Sequence, residues 1–464
     1  MSFVKLYIFL VIDITICVNC HQAKSSLVFV IDRTSSMHKV IDQVKMKTDL
    51  IFDAVLESNS SRIEDFILVT FDDPNTEVKA WTTKREEFKA ALKSIKLING
   101  GDCPEYSMSG IEEALKISKP NSYFYVFTDA SSSDYKKIDL VKSLSQKKAI
   151  QVNFLLTGMC KKFVGKYYSV YENLTEATSG QIFNINRNDI NKIINYIIES
   201  IKSKRTILNH KNIKKKGDIV QFTVDSKIQD VMISISCDSP NYHVTDSGGN
   251  IIDTIEIAHT KKTAVDKMIA VPGDYTIHIN NDVKCSVVVS ASTTVCFQYG
   301  FSKIEPTTMN ETSTKPLKGL KDKQYLAIEL DNVEKDVTLE TAEIRDIDYS
   351  VLNVLPLKII NVEKQLYVTE PFKPPSGMFK IAINGLTEKK EKITRISTST
   401  SEYQDELEKA KVTAPMVTIL SESIVDVEFG DPITLKCKIH AYPEPNVTWT
   451  DGSGAIISSQ MHAL

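Results

Sequence analysis

Ser26-Leu27-Val28-Phe29-Val30-Ile31-Asp32-Arg33-Thr34-Ser35-Ser36-Met37 decides how this 464-residue chain is read. An apolar run of strand formers ends abruptly in an acid and two hydroxyls at alternate positions, Asp32, Thr34 and Ser36. An uninterrupted run of this kind reads as a strand buried on both faces, which in an α/β domain carries its functional loop at the carboxyl end. Three hard oxygens offered from one tight loop are the ligand type that Mg²⁺ and Ca²⁺ take, and Mg²⁺ usually needs only one or two carboxylates.

Outward from this stretch the pattern alternates strand and helix. Strands are expected at Leu27–Ile31, Phe66–Phe71, Tyr123–Phe127, Ile150–Leu156 and Gln181–Ile185, with Glu77–Thr82 as an antiparallel edge strand after the Asp72-Asp73-Pro74-Asn75 turn. Helices are expected at Lys39–Glu57, Lys84–Ile95, Ser107–Ile117, Asp134–Ser145, Lys166–Thr178 and Asp189–Ser203, with Gly180 as a terminator. Alternation predicts a doubly wound, mostly parallel sheet whose ligand crevice lies outside the carboxyl ends of its strands. Asp129 follows one such strand in Phe-Thr-Asp-Ala, and the loop Asn99-Gly100-Gly101-Asp102-Cys103-Pro104-Glu105 lies between the two. Arg33 and His38 flank the first loop and are expected to face solvent.

Asp32-x-Thr34-x-Ser36 followed by a strand ending in Thr-Asp resembles the metal-ion-dependent adhesion site of von Willebrand factor A domains, over residues 24–206. The resemblance implies that Asp32, Thr34, Ser36 and Asp129 hold a divalent cation, Mg²⁺ or Ca²⁺. The family's usual second hydroxyl is a Ser, which Thr34 replaces with the same oxygen. Its middle loop usually offers a Thr, where this chain has Asp102 and Glu105, and either acid is open as a further ligand. An added carboxylate favours holding the cation and, by like charge, opposes capture of a partner's acidic side chain. Such a site is expected to be more structural than ligand-grasping. Gly-Gly-Asp-Cys-Pro-Glu, Leu-Thr-Gly-Met-Cys at 156–160 and Ala-Thr-Ser-Gly-Gln-Ile-Phe at 177–183 are similar to the N-terminal A domain of hemicentins. That resemblance implies a bond between Cys103 and Cys160, contributing roughly 4 kcal/mol in the chain-entropy model.

The remaining sequence bounds the context. Lys plus Arg number 56 and Asp plus Glu 59, so charge gives no argument for a nucleic-acid partner. Length suggests about three domains. Residues 1–23 read as a signal peptide: Lys5 precedes an apolar run from Leu6 to Val18, broken by Asp13 and too short to span a bilayer, and no later stretch anchors the chain. Cys237, Cys285 and Cys296 are expected to divide into one pair and one free thiol. Sequons at Asn59, Asn173, Asn310 and Asn446 are compatible with glycosylation.

His210–Gly217 reads as a solvated linker or turn. Short β-like segments then suggest an all-β sandwich at 207–302, with hairpins at Gly248-Gly249 and Pro272-Gly273-Asp274, and a second β-rich domain at 303–410. Residues 414–464 resemble an incomplete immunoglobulin domain: Cys437 sits on its second strand and Trp449 packs from its third, while the strand carrying the partner cysteine is missing. A fragment of a longer protein is the expected explanation. Asp246-Ser247-Gly248-Gly249 near His243 is read as a glycine hairpin and not a nucleophile loop, since no base and orienting acid accompany it.

Together these readings predict a secreted, non-catalytic extracellular-matrix adhesion or assembly protein of hemicentin type. Its partners would be matrix or cell-surface proteins. The alternative is a soluble recognition or immune-type protein that captures a ligand with its A domain.

Overall fold

The structure, a computed structural model, describes residues 24–57, 63–98, 103–202, 205–213, 217–316, 323–332, 336–398 and 400–402, with backbone strands at Thr413–Ile419, Cys437–Tyr442, Trp449–Thr450 and Ile456–Ser458. The signal-peptide reading, Asp102, Asn59, Asn446 and Lys214–Lys216 lie outside the described residues. Asn173 and Asn310 are exposed. The described residues from Lys24 to Glu402 belong to one compact unit and the strands from Thr413 onward to another. In the latter, Thr413–Ile419 pairs antiparallel with Cys437–Tyr442.

The opening run is β1 (Ser25–Asp32), buried at every position. Parallel neighbours β2 (Ile63–Phe71) and β4 (Tyr123–Thr128) take both of its edges. With β3 (Thr76–Thr82), β5 (Gln151–Leu156) and β6 (Ile182–Asn184) they form a six-stranded sheet in the order β3-β2-β1-β4-β5-β6, antiparallel only at β3. Two hydrophobic cores cover its faces, because every second residue of a two-sided strand needs its own apolar layer. Leu27, Phe29 and Ile31 pack under α1 (His38–Glu57), α2 (Arg85–Lys93) and α6 (Ile190–Lys202). Val28 and Val30 pack under α3 (Ser107–Ile117), α4 (Ile138–Lys147) and α5 (Lys166–Thr178).

The end of α5 differs from the sequence expectation. The left-handed residue that stops it is Ser179, with φ of 51°, not Gly180. Gly180 is required by proximity instead: a Cβ there would stand 1.9 Å from the Val152 carbonyl oxygen of β5. Gly180→Ala is therefore expected to cost about 3 kcal/mol, the upper end of overpacking penalties, since a ladder carbonyl cannot move aside. Urea unfolding checks this, and a loss under about 1 kcal/mol contradicts it.

The linker expectation fails at His210. It lies in β7 (Arg205–Ile213), which pairs antiparallel with β14 (Cys285–Thr293), and its ring is buried. The strand's inward residues Ile207 and Leu208 are buried beside it, so a polar-looking sequence is held by its pairing. β14 also pairs with β9 (Ile228–Ser236), and β9 with β12 (Thr263–Ile269), which carries β11 (Ile255–His259) at the edge. A second sheet of β8 (Ile219–Val224), β10 (Tyr242–Asp246) and β13 (Gly273–Ile279) faces it across a core of Val220, Phe222, Ile233, Ile277 and Val287. Pro272–Asp274 thus connects strands of different sheets and is not a hairpin. Gly248-Gly249 does sit in a tight turn, with the Gly248 and Asn250 amides donating to Asp246 Oδ1.

Residues 295–302, read as the end of the first β domain, form β15 (Val295–Ser302) and pair with β16 (Tyr325–Asn332) in the second. β17 (Val337–Arg345), β18 (Val351–Asn361), β19 (Leu366–Thr369), β20 (Lys380–Thr387) and β21 (Lys392–Ile396) complete that region around its own core. β21 meets β7 through Ile396 and Ile207, so one twelve-stranded sheet runs through both β regions. Cys237 is bonded to Cys285, with Cα atoms 4.7 Å apart, and Cys296 is disulfide-bonded as well, which corrects the expected free thiol.

The α/β domain is docked on this sheet through α6 and the end of α5. Met232, Ala258 and Val265 join the core under the α6 isoleucines, and Lys192 donates to the His259 carbonyl at 3.0 Å. On the other side, the Thr400 amide donates to the Ala177 carbonyl at 2.9 Å.

Candidate metal centre

The loop after β1 is tied down before any ligand is considered. The Arg33 amide donates to Phe71 O at the end of β2, and the Ser35 amide to Ile98 O, both at 3.0 Å. Asp32 is fully buried at the strand end. Its Oδ1 accepts from the Thr34 amide (2.9 Å) and hydroxyl (2.7 Å), and its Oδ2 from the Thr128 hydroxyl (2.8 Å). Thr34 Oγ1 lies 3.1 Å from Ser36 Oγ, and Ser36 donates to Asp129 Oδ1 at 3.0 Å. Asp32, Thr34, Ser36 and Asp129 therefore share one connected set of oxygens, although Asp129 comes from a separate strand.

Glu105 reaches the same rim from the middle loop. Its backbone is held by the loop after β4: its amide donates to Ser131 O at 2.9 Å and its carbonyl accepts from the Ser133 amide at 2.8 Å. The residue is 4 % exposed, and its Oε2 is buried with no hydrogen-bond partner among the described residues. Cys103, two residues earlier, is bonded to Cys160 with a Cα separation of 5.7 Å, and Cys160 Sγ accepts from the Ser131 amide.

The electrostatics of this rim are those of a site short of positive charge. Burial pushes the Asp32 carboxyl up to about 6 against the lowering effect of the Thr34 and Thr128 hydrogen bonds, and the Asp129 charge adds to the rise. Burial pushes Glu105 up to about 8, helped by the charges of Asp32, Asp73 and Asp72. A carboxylate with a buried oxygen that has no partner among the described residues, within reach of the charge of another buried carboxylate, suits a hard divalent cation. Among the described residues no three His, Cys, Asp or Glu side chains already converge as a coordination sphere, so hydroxyls must supply part of the oxygen set.

Several contributors have no visible signal in the sequence. Arg187, ahead of α6, forms an ion pair with Asp129 Oδ2 from 58 residues away. Arg33, expected at the surface, instead pairs with fully buried Asp72, because the 72–75 turn brings that acid under the first loop. Thr128 is part of the Thr-Asp signature, but its hold on Asp32 shows only when the two strand ends lie side by side. Ser247 has no catalytic company: His243 stacks on His278, with ring centroids 4.7 Å apart, and Asp246 is engaged in its own turn.

Residues 26–187 match the family model of the von Willebrand factor A domain. The chain is similar to human (Homo sapiens) hemicentin-1, with 28% identity over 374 residues, covering 78% of this chain and 7% of the relative. Mouse (Mus musculus) hemicentin-2 is 28% identical over 382 residues, covering 80% and 8%. Human von Willebrand factor A domain-containing protein 7 is 25% identical over 295 residues, covering 60% and 33%. The chain thus spans less than a tenth of the hemicentins it matches.

Proposed function

We infer that this hemicentin-like chain, with a von Willebrand factor A domain at 26–187, is a secreted, non-catalytic adhesion or assembly protein of the extracellular matrix. Its A domain binds a divalent cation through Asp32, Thr34, Ser36 and Asp129, with Glu105 or Asp102 supplying a further carboxylate. Its partners are matrix or cell-surface proteins. The observation that carries this reading is the buried, partnerless Oε2 of Glu105 beside the hydrogen-bonded Asp32–Thr34–Ser36–Asp129 set. Mg²⁺ or Ca²⁺ would supply the positive charge those oxygens face. Thr34 and Ser36 would orient it, and the Thr128 hydroxyl holds Asp32 in place. Among the described residues no helix is long and apolar enough to cross a membrane.

Thermal unfolding of the full chain in EDTA, Mg²⁺ and Ca²⁺ tests the cation. A cation that binds only the folded state raises stability by about 2.7 kcal/mol at roughly a hundredfold excess over its Kd. The wild type should gain stability on adding cation and Asp32→Ala should not. An equal response in both, or none in either, rejects the site.

A further inference from the structure

The loop between β5 and α5 carries a second surface on the same rim. Phe163, Tyr167 and Tyr135 form a contiguous ring cluster, with centroids 5.2 Å apart for Phe163–Tyr167 and 4.9 Å for Tyr135–Tyr167, both edge-on. Lys166 Nζ lies over the rings of Tyr135, at 4.7 Å, and Tyr167, at 5.5 Å. Lys161 and Lys162 immediately precede Phe163, and Lys136 immediately follows Tyr135; all four lysines are exposed. The loop is anchored twice, by the Cys103–Cys160 bond and by the Ser132 amide donating to Tyr167 O at 2.8 Å.

These four ammoniums have no carboxylate partner among the described residues. Several lysines elsewhere in the domain are ion-paired: Lys116 and Lys137 with Glu112, Lys119 with Asp65, Lys142 with Glu402. The acids closest in sequence are already engaged. Asp134 accepts from the Met108 and Ser109 amides at the start of α3, and Asp139 pairs with Lys142. Like charges left together on a pinned loop cost stability unless a ligand offsets them. An aromatic floor that restrains the Lys166 stem also lowers the entropy lost on binding.

We propose that Lys136, Lys161, Lys162 and Lys166, on the ring cluster of Tyr135, Phe163 and Tyr167, bind a sulfated polysaccharide. Isolated lysine ammoniums with no arginine fork among them suit point-charge anions such as sulfate better than planar carboxylates. Sugar rings offer flat faces to aromatic side chains. A linear polyanion can follow the lysines and avoid the neighbouring acids Asp32, Asp72, Asp73 and Glu105. A flat anionic membrane pressed on this rim would meet the exposed Asp73 as well. The proposal extends the adhesive reading but stands on different residues from the cation site.

The test is binding of the full chain to heparin fragments across a NaCl series, with EDTA and with Mg²⁺, beside hyaluronan as an unsulfated polyanion and phosphatidylserine vesicles. Wild type should bind heparin in both EDTA and Mg²⁺ and bind hyaluronan at least tenfold more weakly. The Lys161→Ala, Lys162→Ala double variant should lose at least tenfold in affinity with an unchanged melting temperature. Its slope of log affinity against log salt should be shallower by roughly 0.7–0.9 per lysine removed, as counterion release requires. The ion-paired lysines of Lys84→Ala, Lys89→Ala serve as the control. Equal loss in that control, equal hyaluronan binding, or preference for vesicles overturns the proposal. Heparin binding that vanishes in EDTA also overturns it, and assigns the anion to the cation site. Failure of the cation site with cation-independent heparin binding intact leaves this proposal standing alone.

Discussion

Arg395→Met is expected to lower the stability of the chain by about 3–5 kcal/mol, the cost of stripping one partner from a buried ion pair. Arg395 in β21 is 0 % exposed and Asp225, between β8 and β9, is 1 %. The contact is two-pronged: Nη1 donates to Asp225 Oδ2 at 2.7 Å and Nη2 to Oδ1 at 3.0 Å. Nη2 also donates to Thr293 Oγ1 at 2.9 Å and Nη1 to Thr394 O at 3.0 Å. The guanidinium therefore joins β21 to β14 and the β8–β9 turn, beside the Ile396–Ile207 pairing of β21 with β7. Methionine fills the stem's volume, so the loss measures the stranded Asp225 charge more than a cavity. Arg395→Lys should fail as well, since an ammonium cannot reproduce the fork. The Arg395→Met, Asp225→Leu pair should recover most of the loss, because apolar replacements of buried pairs are often neutral or better. Urea unfolding of the three variants decides it. A single-variant loss below about 1 kcal/mol would mean that the pair is not what joins the two β regions.

Lys380→Met should act in the opposite direction. Lys380 is 1 % exposed, donates to the Ser179 hydroxyl, and lies 5.3 Å over the Tyr349 ring where the α/β domain meets β20. Among the described residues no carboxylate accompanies it, and burial pushes its amine from 10.5 down to about 7. The neighbouring His210 is pushed down to about 3, first by burial and then by the Lys380 charge. Between about pH 7 and 10.5 the unfolded lysine keeps a proton that the folded one has released. Stability should therefore rise with pH across that window, with the full penalty present below about 7. At 1.36 kcal/mol per unit, the penalty is on the order of 3–5 kcal/mol. Lys380→Met should be more stable than wild type at pH 7, and the gap should close towards pH 10. Taking the difference between the two proteins removes other groups that titrate nearby, such as Lys148, which burial lowers to about 8. A gap that is constant with pH would show that the amine is charged and accommodated.

The features legible in the sequence are local ones. Alternation of apolar runs with helical segments reproduces the elements of the α/β sheet, because each element carries its own burial pattern. Asp32, Thr34 and Ser36 are readable because alternate residues at a strand end share one loop. In the β regions the same reasoning gives the β character but sets the seam at 302, since alternation says that a strand has one buried face and not which sheet receives it.

The sequence by itself determined the doubly wound domain, its rim of hard oxygens and the β character of the remaining chain. Only the tertiary structure decided that Arg187 reaches Asp129, that β15 belongs with β16, that one sheet passes through both β regions, and that Arg395 meets Asp225 across 170 residues. The physical reason is range. Strand and helix periods, turns and metal-binding loops are set by neighbours a few residues apart, whereas burying a charge or a polar strand such as β7 is permitted only by distant partners that leave no periodic trace in the chain.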